Sequence, residues 1–98
     1  MFTEFLDMSS GGSQKLSHGR ILIEAPEAEA VSVFYSRFGR NPRRVSCTCC
    51  GEDYSITEVE RIEPDRYFDR KGLAVIPAGS IKPEERTVEV PVEGYVWQ

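Results

Sequence analysis

Cys47, Cys49 and Cys50 crowd into the turn Cys47-Thr48-Cys49-Cys50-Gly51, and His18 is the single histidine of the chain. Three chemistries use such residues. The spacing Cys47-x-x-Cys50-Gly51 has the form of a zinc knuckle, in which two thiolates hold the metal and glycine permits the tight turn. A structural zinc needs four ligands, and no second CxxC exists; Cys49 and His18 are the available completions, with Asp53 a poorer third. The same spacing occurs in redox sites, where a helix N-terminus lowers the thiol pKa. Here Gly51, Glu52 and Asp53 follow instead, and negative charge raises a thiol pKa. A nucleophilic cysteine needs an oriented base, and nothing in the sequence orients His18. The remaining reading is that small, moderately apolar thiols pack a hairpin. We read the turn first as a structural hairpin and second as a zinc site on Cys47 and Cys50 with Cys49 or His18. No catalytic constellation emerges, so an enzyme is not expected, and no cofactor beyond that zinc is implied.

The elements that must position this turn are legible on both sides of it. Arg20-Ile21-Leu22-Ile23-Glu24 is rich in β-branched residues and predicts a buried strand. Pro26 opens a helix over 26–38, with Glu27 and Glu29 near the positive end of its dipole. Val31, Phe34, Tyr35 and Phe38 fall on one stripe of that helix, and Gly39 stops it. Strands are predicted at 44–48 and 54–62, joined by a hairpin turn through the cysteines. In the second strand Tyr54 and Ile56 face inward while Val59 and Ile62 fall out of phase, which a bulge near Thr57-Glu58 would reconcile. A short helix over 64–72, a strand over 73–76, a turn at 83–86 and a last strand from Thr87 complete the order β-α-β-β-α-β-β. The expected fold is α+β, a mixed or mostly antiparallel sheet with helices on one face. Residues 1–19 read as an N-terminal arm and flexible loop, and 20–98 as a single domain. Within the arm, Phe2, Phe5 and Leu6 have the spacing of one helical turn, which either docks on the body, the first reading, or offers a sticky arm to a partner.

With 98 residues, 40% of them hydrophobic and 29% charged, the chain suits one globular domain. No apolar run approaches the roughly 18 residues that span a bilayer, and the N-terminus does not read as a secretory signal. The expectation is a cytoplasmic protein with no membrane partner. Charge is uneven: residues 1–51 hold six Lys/Arg and five Asp/Glu, whereas residues 52–98 hold six and eleven. An acidic half argues against direct nucleic-acid binding, which needs cations to replace phosphate counterions. It suits a basic protein partner, with Glu58, Glu60, Glu63 and Asp65 as candidate contacts. Tyr95 and Trp97 alternate with Val96 near the C-terminus, and such aromatics either dock on the domain or anchor a partner. Arg37, Arg40, Arg43 and Arg44 form a basic run; the first two suit a helix C-terminus. Arg43 and Arg44 are expected to neutralise Glu52 and Asp53 across the hairpin.

The segments Glu24-Ala25-Pro26 to Tyr35, Arg37-Phe38-Gly39-Arg40-Asn41-Pro42 and Cys47-Thr48-Cys49-Cys50-Gly51-Glu52-Asp53-Tyr54-Ser55 resemble small uncharacterised proteins of tailed bacteriophages and prophages. Ile81 to Arg86 and Val90 to Trp97 resemble them too. The resemblance covers about two thirds of the chain, and members of that family are often longer between the hairpin and the C-terminal motif. It implies a phage origin and the cytoplasm of a bacterial host, and it carries over no catalytic residue. By analogy with small acidic phage proteins, it suggests a non-enzymatic module that binds a host protein or complex, such as a CRISPR–Cas defence assembly. The alternatives, both drawn from the cysteine turn, are a zinc-knuckle structural or accessory protein and, last, a cysteine-dependent enzyme.

Overall fold

Arg20–Ile23 forms a strand, as its β-branched run predicts, and Ile21, Leu22 and Ile23 are all fully buried. Successive strand residues point to opposite faces, so both faces of the sheet are covered at this point. The computed structural model of the chain describes residues 1–9, 12, 14–45, 51–62 and 72–88.

The N-terminal segment corrects the sequence reading. Phe2–Asp7 is neither an arm nor a helical turn but a six-residue strand, β1, in the interior of the sheet. Its inward residues are Thr3, Phe5 and Asp7, all fully buried. Two of the three are polar, which is why the strand alternation is hard to see in the sequence. Both are satisfied: the Thr3 hydroxyl donates to the Ala25 carbonyl at 2.8 Å, and Asp7 accepts the Ser9 and Lys15 amides. Buried polar groups so bonded lose little relative to water.

β2 (Arg20–Ile23) pairs antiparallel with β1, Thr3 facing Ile23 and Leu6 facing Arg20. α1 (Glu27–Phe38) then leads to β3 (Tyr54–Val59), which pairs antiparallel with the other side of β1. β4 (Leu73–Ile76) adds in parallel to β2, giving the order β3-β1-β2-β4. The protein is therefore an α+β domain whose described part is a four-stranded mixed sheet with α1 packed on one face. β2, α1 and β3 form a crossover that skips over β1, since β2 and β3 run parallel with β1 between them.

α1 matches its expected span, with Pro26 just outside it and Gly39 closing it in the left-handed conformation at φ 68°. Glycine adopts that conformation without a Cβ penalty. The buried face is Ala30, Val31, Val33 and Phe34, with Phe38 packed against it and Tyr35 half-buried. Phe34 is the hub, with ring centroids 4.8 Å from Phe5, 4.9 Å from Phe38 and 4.9 Å from Tyr54. Tilted and edge-on pairs at these distances add to simple burial.

β3 also departs from expectation. Its pairing with β1 runs without interruption from Tyr54 opposite Asp7 to Val59 opposite Phe2, so there is no bulge at Thr57-Glu58. Val59 is out of phase because it lies on the other face of the sheet, and Glu58, though exposed, takes the position on the α1 side. Arg44 and Val45, at the start of the strand expected over 44–48, are not in a strand; the rest of that span, the cysteines of the turn and, apart from its stop Gly72, the helix expected over 64–72 lie outside the described residues. Residues 83–87, expected as a turn leading into a strand at Thr87, form a 3-10 helix that takes in Thr87. A second 3-10 turn spans Ala78–Ser80.

Candidate functional site

The fold leaves β3 at one margin of the sheet. The Asp7 amide donates to Gly19 at 2.7 Å on the β2 side, and bonding directions alternate along an antiparallel strand. The even-numbered residues of β1 therefore bond to β3, and their partners Ser55, Thr57 and Val59 turn inward. By the same alternation the backbone groups of Tyr54, Ile56 and Glu58 point outward, where no described residue forms a strand against them.

The chain comes close to filling this margin and then leaves it. Asp53 donates its amide to the Arg44 carbonyl at 2.8 Å, so the segment entering from α1 pairs just before β3 begins. Asn41 prevents it from continuing: its side chain accepts the Arg43 amide at 3.0 Å and its carbonyl accepts the Arg44 amide at 3.1 Å. This local turn draws residues 41–43 away from the sheet. A cleft of about 480 Å³ remains, lined by Met8, Glu27, Arg43, Glu52 and residues 54–56 of β3.

Charge in the cleft is mostly negative. Arg43 reaches back to Glu27 at 3.0 Å, not to Glu52 as expected. Glu58 accepts the Glu27 amide at 2.8 Å and so caps the N-terminus of α1. Glu58, a candidate partner contact, thus has a structural task as well. Glu60 is exposed just beyond β3. Glu63, Asp65, Tyr95 and Trp97 lie outside the described residues.

At the foot of β3 sits a buried polar group. Asp53 is fully buried, with Arg40, not Arg43 or Arg44, 3.7 Å from its carboxylate. Tyr54 is also buried, and its hydroxyl has no hydrogen-bond partner among the described residues. Burial, then the nearby charges of Asp7 and Asp53 against the opposing pull of Arg40, hold its phenol well above the ordinary tyrosine range. Tyr54 is consequently neutral at physiological pH.

On the far side of α1, Arg37 grips the nearly buried Glu85 through two nitrogens, at 2.7 and 3.2 Å, and also donates to the Ser80 carbonyl. The Arg37 hydrogen bond to its carboxylate, partly opposed by burial and helped by the Lys82 amide, lowers the Glu85 pKa. Arg86 pairs with Glu29 at 3.0 Å and Arg20 with Glu4 at 3.0 Å. Arg37, Arg40 and Arg43 are therefore fixed by the domain's own carboxylates.

Of the candidate metal ligands, Cys47, Cys49 and Cys50 lie outside the described residues. His18 is exposed before β2, with Nδ1 3.4 Å from the Ser17 hydroxyl. Among the described residues no group of three His, Cys, Asp or Glu side chains is placed to hold a metal. No helix among them is long and apolar enough to cross a membrane. Comparison with protein-family models, curated proteins and solved structures finds no match.

Sequence reasoning found the acidic bias but missed the edge itself. Its one signal is the Asn41-Pro42 turn, which in the sequence marks the end of a helix and in the fold is also where the chain leaves β3.

Proposed function

We propose that the chain is a non-enzymatic protein-binding module whose contact surface is the open margin of β3 and the acidic cleft beside it. The observation that carries this reading is a strand position along Tyr54–Val59 that no described residue fills, next to a cleft lined by Glu27 and Glu52. Unpaired strand edges are templates for association unless proline, a bulge or charged side chains block them; the charge on this edge, Glu58, is engaged with the Glu27 amide and suits a basic strand. β3 contains neither proline nor lysine. The resemblance to phage proteins points to a bacterial host protein as the partner, and a defence complex such as CRISPR–Cas is the finer form of the proposal.

The immobilised chain, exposed to bacterial lysate, should capture a protein saturably. The doubly substituted chain Glu52→Lys, Glu60→Lys should lose that capture, since both side chains are exposed. In cells, expression should weaken a defence system against phage challenge. Equal capture by both chains, or no saturable capture, would overturn the proposal.

A further inference from the structure

We propose that the partner binds by adding an extended, basic segment to β3 as a fifth strand, antiparallel to it and in line with Arg44. This rests on the protein-binding reading above and gives it a chemistry.

The position of the added strand is set by the chain itself. Arg44 already accepts a hydrogen bond from the Asp53 amide, while the Asp53 carbonyl accepts the Met8 amide; Asp53 thus bonds to both sides, and the outward alternation of β3 begins at Tyr54. The Asn41 turn then removes residues 41–43 from the line, so the next places along it, beside Tyr54, Ile56 and Glu58, are left for another backbone. Addition of a strand supplies affinity through main-chain bonds and selectivity through alternate side chains.

Those alternate side chains would point to the face where α1 lies, because residues opposite one another across antiparallel strands share a face. There they meet Glu27 and Glu58, with Glu52 at the lower end of the cleft. Against these three carboxylates stand Arg43, which is already paired with Glu27, and Arg44, exposed at the foot of the strand position. Neither Glu52 nor Glu58 has a cation in ion-pair contact among the described residues. A segment with Lys or Arg at every second position complements this wall. An acidic segment would be repelled, and like charges held close are a strong source of discrimination.

The probe is a blocked decapeptide of alternating lysine and valine, titrated into the isotope-labelled chain and followed by NMR and amide exchange. Saturable binding is expected, with the exchange of the Ile56 and Glu58 amides slowed about tenfold or more at saturation. Affinity should fall about tenfold in the Glu52→Lys, Glu60→Lys chain and also with rising salt. The peptide with alternate amides methylated should not bind. Several results would overturn strand addition: unchanged Ile56 and Glu58 amides, equal binding of a glutamate–valine peptide, or a chain that occupies β3 with a second copy or with its own residues 89–98. If a captured host protein leaves these two amides unprotected, strand addition fails while protein binding stands. If the peptide protects them but no host protein is captured, the proposed function fails and the strand site stands.

Discussion

Replacing Tyr54 by phenylalanine removes one oxygen and should stabilise the domain. The hydroxyl is buried with no hydrogen-bond partner among the described residues, while the ring packs edge-on against Phe34. Phenylalanine keeps that packing and relieves the desolvation of the hydroxyl. A buried polar group left unsatisfied costs about 1–3 kcal/mol, so Tyr54→Phe should gain up to that amount at pH 7. For a domain of this size each kcal/mol shifts the melting temperature by about 4–8 °C. The same residue predicts an alkaline signature. Its folded-state pKa lies above the ordinary tyrosine value of 10.0, so the unfolded chain loses this proton first. The contribution to stability is full below pH 10 and is lost as pH rises above it, by about 1.4 kcal/mol per pH unit until the folded phenol ionises too. Denaturant unfolding of both chains from pH 7 to 11 checks this. The stability difference should favour phenylalanine at pH 7 and widen above pH 10. A Tyr54→Phe chain that is less stable by more than about 1 kcal/mol at pH 7, with no widening, would show that the hydroxyl is bonded in solution and refute the reasoning.

Further outcomes follow from the other contacts. Because Arg37 depresses the Glu85 pKa, that pair's stabilisation is full above the ordinary carboxylate value and is lost as pH falls through the lowered one; Glu85→Gln should flatten the acid limb of the stability curve. Arg37→Ala should destabilise at neutral pH by less than the roughly 3–5 kcal/mol of a fully buried pair, since Arg37 keeps some contact with water; urea unfolding measures it. Glu58→Ala removes the cap from α1 and should cost about 1 kcal/mol, with Glu58→Gln closer to the parent. Phe34→Ala, at the centre of three ring contacts, should cost about 3–5 kcal/mol and leave little folded protein on heating.

The parts of the fold that were legible in the sequence are those whose apolar residues obey a single period. α1 shows a helical stripe closed by Gly39, and β2 shows a continuous β-branched run, as a strand covered on both faces should. β1 was hidden because its core-facing positions are Thr3, Phe5 and Asp7, so the pattern depends on hydrogen bonds that no periodicity reveals. β3 was half hidden for a related reason: the position on the α1 side after Ile56 is held by exposed Glu58, which accepts the Glu27 amide, and not by an apolar residue. The charge pairings failed differently. Arg43 and Arg40 choose partners set by how the chain turns at Asn41, which brings Glu27 and Asp53 into reach, and that is a tertiary fact. The acidic side of the candidate site could be read from composition. The vacant strand position beside it could not, because it exists only once β1 has separated β3 from β2.

The central claim is that this chain acts by binding protein along the outer edge of β3. Amide exchange at Ile56 and Glu58, measured in the free chain and in the complex with its captured partner, tests it most directly. Rapid exchange is expected in the free chain, with slowing of about tenfold or more in the complex. Rates that are the same in both states, with a partner demonstrably bound, would contradict it.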